Sequence, residues 1–373
     1  MESWEGPIDT GEIPEDGSGF DVIVVGGGPC GSAAAAYNAM NGCKVLLIEK
    51  EIWPRDKACG DAVGGKSLSH VKELGVKELI EETPYFRVDS IIFGSANGNT
   101  VRVMLPEEEF EKKMAGYALP RVQFDYMMFK RATELVIGSG GAVIQGFSVE
   151  EVCFQDGRIT GVSGKFGGRR SDGDELSFSA PLTIGAGGYR CPVATTLVET
   201  LHEEKMRDDD HYCGAYREYW EGVAGFDGNQ GPIEIHFVDE VIPGYFWLFP
   251  VKEGVVNVGI GMVISEQRKQ TGADKSLKKK QKWVIEEHPV FKERFKGAKF
   301  VEGSGKGWQL PFGSPRKKAP SFQPRRSAGG GVMCVGDAAS LVDPFTGEGI
   351  GNGLVSAKLT AKHFDKEAHA DGF

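Results

Sequence analysis

The stretch that most constrains the fold begins at Phe20. It reads FDVIVV, then the turn GGGPCG, then the alanine-rich SAAAAYNAMNG, and then KVLLIE. Short, almost wholly apolar runs are typical of strands buried on both faces, and the alanine-rich run between them predicts a helix. Two such strands joined through a helix are expected to lie parallel in one sheet. The stretch therefore predicts an α/β domain.

The turn after the first strand contains Gly26, Gly28 and Gly31 in the pattern G-x-G-x-x-G. The first glycine permits a tight turn, the second lets a pyrophosphate approach the backbone, and the third lets helix and strand pack closely. Glu49 ends the second strand, where a carboxylate can accept hydrogen bonds from an adenosine ribose. The motif predicts dinucleotide binding and does not separate NAD from FAD.

Composition narrows the class of protein. A chain of 373 residues with 40% hydrophobic content suits a globular protein of about two domains. Its net charge of -10 argues against nucleic acid as the main partner. The seven cysteines show no paired spacing, so neither a disulfide framework nor a zinc site is indicated, and a reducing, cytoplasmic compartment is expected. No apolar run reaches the length of about 18 residues that spans a bilayer, although peripheral membrane contact stays open.

The segment PGYFWLFP places Tyr245, Trp247 and Phe249 two residues apart, directly before Pro250. Residues spaced by two share one face of a strand, so the three rings should form a flat apolar wall. The spacing alone fits the buried face of an antiparallel sheet and the wall of a ligand cavity equally well.

The C-terminal segment VGDAASLVDPFTGEGIGNGL ends a strand with Gly336 and Asp337, and then leads through a glycine-rich loop into a helix. A helix start offers free N–H groups and a positive dipole end to an electron-rich ring or a phosphate. After an N-terminal dinucleotide fold, this pattern resembles the FAD-dependent p-hydroxybenzoate-hydroxylase-like superfamily. The resemblance implies that Asp337 holds the ribityl chain and that Gly349 and Ile350 face the flavin ring.

The same resemblance extends to RVQFD, where Arg121 matches an arginine that contacts the flavin side, and places Val149 near the adenine. It implies FAD as the cofactor and a Rossmann-like FAD-binding domain beside an antiparallel-sheet substrate domain. The predicted cofactor-binding residues are Gly26, Gly28, Cys30, Gly31, Glu49, Lys50, Cys59, Asp61, Arg121, Val149, Asp337, Gly347, Gly349, Ile350 and Gly351.

Two further stretches, KACGD at residues 57–61 and YFWLFPVKEGVVNVGIG at residues 245–261, resemble the geranylgeranyl reductases of archaeal ether-lipid synthesis. Those enzymes carry a P-C-G-D-type loop beside the flavin, and here Ala58 replaces the proline. The resemblance implies an isoprenoid cavity and reduction of isolated C=C bonds in geranylgeranyl chains. It assigns catalysis to Cys59, Gly60 and Asp61, and substrate binding to Tyr245, Trp247, Phe249, Pro250, Gly259 and Gly261.

Several alternatives stay open. Cys59 could relay a proton, tune the flavin or simply pack, and Asp61 could lie by the flavin or cap its loop. A flavin monooxygenase or halogenase, or a prenyl-binding carrier similar to the Rab-escort proteins, would share the scaffold. Flavin hydroxylases usually carry Asp-Gly where this chain has Ala186 and Gly187, so an external donor such as a ferredoxin is expected. Archaeal members continue past the point equivalent to Phe373, so this chain is shortened or closes its cavity differently.

The expected division of the chain alternates between two domains. A basic run at residues 274–283 predicts a helix that serves lipid headgroups, an acidic electron carrier or only solvent. The predicted segments are an acidic mobile tail at 1–19, FAD-binding parts at 20–80, 116–190 and 326–373, and substrate-domain parts at 81–115 and 191–325.

Overall fold

The computed structural model describes residues 6–105, 116–168, 170–270, 276–314 and 325–367. Within these ranges the strands are β1 (Val22–Val25), β2 (Val45–Glu49), β3 (Ala62–Val63), β4 (Phe86–Ser95), β5 (Thr100–Met104), β6 (Gly116–Ala118), β7 (Ala142–Gln145), β8 (Phe147–Gln155), β9 (Arg158–Phe166), β10 (Glu175–Ser179), β11 (Leu182–Gly185), β12 (Tyr212–Glu221), β13 (Gln230–Phe237), β14 (Gly244–Lys252), β15 (Val255–Val263), β16 (Lys299–Phe300), β17 (Lys306–Pro311), β18 (Ala328–Gly329) and β19 (Val332–Cys334). The α-helices are α1 (Pro29–Met40), α2 (Ser67–Glu73), α3 (Lys77–Glu81), α4 (Arg121–Gly138), α5 (Pro192–Thr195), α6 (Ile264–Lys269), α7 (Leu277–Glu286) and α8 (Ile350–His363).

The first sheet has the order β18-β19-β11-β1-β2-β7 and is parallel except for the short edge strand β18. Every residue of β1, β2 and β11 is buried, as the continuous apolar runs predict. Helix α1 contacts both α4 and α8, and its alanines allow this close approach. The predicted parallel α/β unit is confirmed.

The stretch AVIQGFSVEEVCF forms two strands, which meet at Gly146, whose φ of 73° turns the chain. Its first part, β7, ends the parallel sheet, and its second part, β8, starts an antiparallel sheet with β9 and β10. β9 and β10 then lead into β11, by which the chain returns to the parallel sheet.

The second large sheet has the order β16-β12-β15-β14-β13-β4-β6-β3, with β17 beside β12 and β5 beside β4. The sequence predicts an antiparallel sheet, and this is wrong for one pair, because β13 runs parallel to β4. Neighbours that follow each other in the chain are joined by short turns, which enforce antiparallel pairing. No short turn links β4 to β13, since most of the first domain lies between them.

The two faces of the second sheet differ in what they meet. One face carries Trp247, Phe249 and Ile235 and points towards the first domain. The other face buries Phe246 and Leu248 against α7 and the segment that follows it. The predicted basic helix is therefore confirmed as α7, on the far side of the sheet from Trp247. Asp274 and Lys275 of that run lie outside the described residues.

Residues 6–19 lie against the first domain, an arrangement that the acidic, glycine-rich sequence does not predict. The carbonyl oxygens of Gly6 and Ile8 accept hydrogen bonds from Tyr126 and Gln145. Farther along, the N–H of Gly17 donates to the carbonyl of Ser177, next to β10. The division of the chain into domains stays a prediction.

Candidate active site

A cavity of about 1150 Å³ lies between the parallel sheet and the aromatic face of the second sheet. It brings together most of the residues singled out in the sequence. Gly31, Pro250, Gly259, Gly261 and Gly351 lie outside its lining. The predicted residues that line it are Gly26, Gly28, Cys30, Glu49, Lys50, Cys59, Gly60, Asp61, Arg121, Val149, Tyr245, Trp247, Phe249, Asp337, Gly347, Gly349 and Ile350.

The glycine turn is built as its spacing predicts. Gly26 has a φ of 113°, and a Cβ there would lie 2.5 Å from the carbonyl oxygen of Ala186. A Cβ on Gly31 would lie 1.7 Å from the carbonyl oxygen of Gly26, so this position accepts only glycine. Gly28 is the N-cap of α1, and within the described chain no side chain caps this helix start. The first N–H groups of α1 are therefore free for an anion.

Glu49 is buried, with 4% of its surface exposed. Its Oε2 accepts the N–H of Gly27 at 2.7 Å, and its Oε1 accepts the N–H of Glu51 at 3.0 Å. A carboxylate has about four acceptor positions, so a ribose hydroxyl can still donate to it. Lys50 is mostly exposed and lies 3.9 Å from Glu51.

Asp337 lines the same half of the cavity, in a short turn after β19. Its Oδ2 lies 3.4 Å from the Nζ of Lys57. Beneath it, the Cys30 sulfur would lie 2.6 Å from a Cβ on Gly336 and 2.1 Å from one on Gly353. Burial raises the pKa of Cys30 to about 12, so this thiol stays neutral and acts by packing.

The loop before α8 closes one side of the cavity. The hydroxyl of Tyr245 donates to the carbonyl oxygen of Thr346 at 2.5 Å, which joins this loop to β14. Gly349 is the N-cap of α8, and the N–H of Gly351 donates to the carboxylate of Glu348 at 2.5 Å. Gly351 therefore supports the loop from outside the cavity.

This half of the cavity fits FAD. An uncapped helix start suits a pyrophosphate, Glu49 suits a ribose, and the turn with Asp337 and Gly349 lies across the same cavity.

Arg121 is buried, with 3% exposed, and forms an ion pair with Asp125 one turn along α4. Burial alone would lower the pKa of Arg121, but the carboxylate of Asp125, and to a smaller extent the side chain of Cys59, raise it above its ordinary value. Arg55 donates to the same Asp125 carboxylate at 3.0 Å. Arg121 therefore links the start of α4 to the loop at residues 57–61.

The loop at residues 57–61 lies under the aromatic wall. A Cβ on Gly60 would lie 2.9 Å from the ring of Phe249, so a side chain there would displace that ring. Asp61 has a φ of 67° and is fully buried. A buried non-glycine residue with a left-handed backbone is costly and is typical of functional sites.

A polar network that the sequence analysis missed holds Asp61. The Oδ2 of Asp61 accepts from the hydroxyl of Tyr219 and from Nδ2 of Asn257 at 2.7 Å. Asn257 also donates to the carbonyl of Cys59 at 2.7 Å and accepts from Nε1 of Trp247 at 2.9 Å. One amide thus joins the loop to the wall. The available signal was Asn257 itself, a single amide in the apolar run VVNVGIG.

Arg217 and Asp56 extend this network and were also missed. Arg217 is 1% exposed and donates to both oxygens of Asp56 at 2.7 and 2.9 Å. Its guanidinium lies over the ring of Tyr219 at 4.3 Å. A fully buried arginine requires a charged partner, because an unpaired guanidinium would be costly to bury. Asp56 is that partner.

The three predicted rings form one wall on β14. The ring centroids of Tyr245 and Trp247 are 6.0 Å apart, and those of Trp247 and Phe249 are 6.4 Å apart. Pro250 points to the other face of the strand. A Cβ on Gly259 would lie 2.0 Å from the indole of Trp247, so this glycine makes room for the ring behind the wall. Gly261 pairs with Tyr245 in the next strand and also lies behind the wall.

Comparison with known proteins agrees with this site. Residues 19–214 match the FAD-binding domain model, and residues 214–296 match the geranylgeranyl reductase catalytic domain model. A digeranylgeranylglycerophospholipid reductase of Methanopyrus kandleri is 30% identical over 348 residues, which cover 92% of this chain and 76% of that protein. The chain belongs to the geranylgeranyl reductase family of FAD-dependent oxidoreductases.

The enzyme has further relatives. A menaquinone reductase of Mycolicibacterium smegmatis is 29% identical over 353 residues, covering 92% of this chain and 75% of that protein. A solved geranylgeranyl bacteriochlorophyll reductase-like protein from Thermoplasma acidophilum has a TM-score of 0.73 and 24% identity, covering 95% of this chain and 79% of its own. The myxobacterial chondrochloren halogenase has a TM-score of 0.75 and 21% identity, covering 95% and 78% of the two chains. Such structural likenesses establish the fold.

Two of the sequence predictions are thereby confirmed, namely the enzyme class and FAD as the cofactor. Among the helices of the described ranges, none combines the length and the apolar character needed to cross a bilayer.

The buried carboxyl of Asp61 gives the enzyme a distinct pH dependence. Burial raises the pKa of Asp61 to about 6, although Arg217, Tyr219 and Asn257 favour its charged form. Below pH 3.8 the carboxyl is protonated in the folded and in the unfolded protein. Between pH 3.8 and about 6, the folded protein keeps a proton that the unfolded chain has released. The stability that this proton maintains is lost as the pH rises through about 6.

We therefore expect Asp61→Asn, which keeps an acceptor for Tyr219 and Asn257 but cannot ionise, to escape that loss. Relative to the parent, its free energy of unfolding should rise by about 2.4 kcal/mol between pH 4 and pH 7.5. Urea unfolding of both apoproteins across this range measures the difference, with the exposed Asp156→Asn as the control. A difference that does not change with pH would show that Asp61 titrates normally.

Proposed function

We propose that the enzyme saturates isolated C=C bonds of isoprenoid chains, and that geranylgeranyl chains of archaeal-type ether lipids are its substrate. The observation that carries the proposal is that the aromatic wall and the FAD-type residues line one cavity. Ile91, Ile233 and Ile235 extend the apolar lining beside the wall. An apolar surface of this kind favours a hydrocarbon chain by about 25 cal/mol for each square ångström removed from water.

The side chains of the wall suit this chemistry. Bound, reduced FAD would supply a hydride to the more substituted alkene carbon. Positive charge builds on that carbon as a proton adds to the other one, and the faces of Trp247 and Phe249 stabilise this charge. Their burial also keeps water from the reacting carbons.

The second alkene carbon needs a proton, and we propose that the thiol of Cys59 donates it. This residue lines the cavity, as does Arg121, whose positive charge lies on the same side of it. Asp61 has no exposed surface and its carboxyl is held by Tyr219 and Asn257, so we assign it a positioning role. Asn257 donates hydrogen bonds both to Asp61 and to the backbone carbonyl oxygen of Cys59, so Asp61 helps to fix the backbone at Cys59.

The source of electrons is proposed to be an external reduced carrier, such as a ferredoxin. The support is the sequence GAGG, which has Ala186 and Gly187 where flavin hydroxylases usually carry Asp-Gly. A dedicated nicotinamide contact is therefore missing from that motif.

A second candidate substrate is the isoprenoid side chain of a menaquinone. The supporting observation is that relatives named menaquinone reductase match this chain at 29% identity, against 30% for a relative named for the phospholipid. Both substrates offer the same trisubstituted alkene to the wall. A monooxygenase or halogenase remains the alternative chemistry, supported only by the shared fold.

We expect the enzyme, reduced with dithionite without oxygen, to add pairs of hydrogen atoms to digeranylgeranyl phospholipid. Mass spectrometry of the lipid follows the reaction, and menaquinone is tested in parallel at equal concentration. Gain of mass only in menaquinone would transfer the proposal to the second substrate. Unchanged mass in both, despite bound and reduced flavin, would reject reduction of isoprenoids.

A further inference from the structure

The aromatic wall continues across three further strands. Trp247 on β14 lies opposite Ile235 on β13, which lies opposite Phe93 on β4, which in turn lies opposite Val101 on β5. Directly opposed residues share one face of a sheet. These four side chains therefore form one row that begins at the wall and ends at the edge strand.

A second row runs beside the first. Ile233 lies opposite Ile91, and Ile91 lies opposite Val103. We call the two rows outside the wall the apolar strip; it consists of Ile235, Phe93, Val101, Ile233, Ile91 and Val103.

Burial changes steadily along the apolar strip. Ile235 and Ile233 are 5% and 7% exposed inside the cavity, whereas Val101 and Val103 are 65% and 50% exposed at the edge. Phe345, which is 61% exposed, lies over the middle, with its ring 6.4 Å from that of Phe93 and 5.7 Å from that of Phe237. The cavity lining thus reaches Ile91, Phe93 and Phe345, and Val101 and Val103 continue the same face of the sheet outside it.

From these contacts we infer that the apolar strip binds the part of the isoprenoid chain that lies beyond the reacting double bond. The inference rests on the proposed function, and its support is that the strip is continuous with the cavity. Three strand spacings separate Trp247 from Val101, which gives about 14 Å of apolar surface. A long chain covers this surface, whereas a short one ends inside the cavity.

The test compares the double variant Val101→Ser, Val103→Ser with Met104→Ser. Met104 is 60% exposed on the same strand but lies opposite Ser90, on the other face. The probes are detergent-dispersed geranylgeraniol and geraniol, which has half its length, and equilibrium dialysis measures their binding. We expect the double variant to weaken geranylgeraniol binding about tenfold. Geraniol binding, and both affinities of Met104→Ser, should match the parent.

Equal affinities of parent and double variant for geranylgeraniol would overturn the inference, as would an equal loss for geraniol. So would weaker binding of the double variant to phosphatidylcholine and phosphatidylglycerol vesicles with normal geranylgeraniol binding, because the strip would then contact a membrane. If the parent is a dimer and the double variant is a monomer that binds geranylgeraniol normally, the strip contacts a second copy of the chain instead.

The proposed function fails separately. Suppose that the parent binds geranylgeraniol, that the double variant binds it tenfold more weakly, and that the lipid gains no hydrogen. The binding role of the apolar strip is then supported, and the proposed reduction is rejected. If the parent binds neither alcohol, both are wrong.

Discussion

Replacing Trp247 by alanine should lower kcat/KM for the isoprenoid substrate about a hundredfold while the enzyme keeps its flavin. The indole is 6% exposed and lies at the centre of the wall, so its loss removes both apolar contact and the ring face that stabilises a developing cation. Such a loss corresponds to about 2.7 kcal/mol of transition-state binding. Steady-state kinetics, normalised to flavin absorbance, measure it.

Two controls separate the ring from the fold. Trp283→Ala removes an indole from the outer surface of α7, where 38% is exposed, and should leave kinetics unchanged. Trp247→Phe keeps one aromatic ring in the wall while losing the rest of the indole and its N–H to Asn257, so it should retain more activity than Trp247→Ala. Loss of flavin from Trp247→Ala, with unchanged turnover per flavin, would show that the wall is only structural.

Replacing Gly28 by serine should weaken FAD binding about a hundredfold and leave the apoprotein as stable as the parent or slightly more so. Gly28 is the N-cap of α1, with φ of -69° and ψ of 179°, a conformation that serine adopts readily. A serine hydroxyl would accept the free N–H groups of the helix start, which are the groups that a pyrophosphate needs. Titration of apoprotein with FAD measures the affinity, and urea unfolding measures the stability.

Opposite effects on affinity and stability are what distinguish a cofactor contact from a packing defect. Gly31→Ala should instead reduce both, because its Cβ would collide with the carbonyl of Gly26. Gly138→Ser, at the end of α4, has open space and should change neither. Normal FAD affinity in Gly28→Ser would mean that the pyrophosphate binds elsewhere.

Local sequence predicted the parts of this site whose geometry depends on neighbouring residues. The roles of Gly26 and Gly31 follow from a turn of six residues, and the wall of Tyr245, Trp247 and Phe249 follows from the alternation of a strand. Both are present in the structure. The assignment of these residues to cofactor and substrate stays a prediction.

What the sequence could not provide depends on contacts between distant segments. The hydrogen bond from Asn257 to Asp61 joins residues 196 positions apart, and no local pattern pairs them. Gly259 was assigned to the substrate because it follows the aromatic motif, yet its role is set by the indole across the strand pair. The parallel pairing of β4 and β13 likewise follows from how two remote segments meet.

That pairing also affects how the molecule can form as it leaves the ribosome. The segment 214–296, which matches the catalytic domain model, supplies most of β12 and all of β13, β14 and β15, whereas β4, which pairs with β13, lies far before it in the chain. During synthesis β4 emerges early and has to wait for β13, because strands of high sequence separation pair late. The second sheet is thus not one contiguous segment of the chain. It is complete only when strands made before and after the middle part of the first domain have met, and β18, β19 and α8 of that domain follow later still.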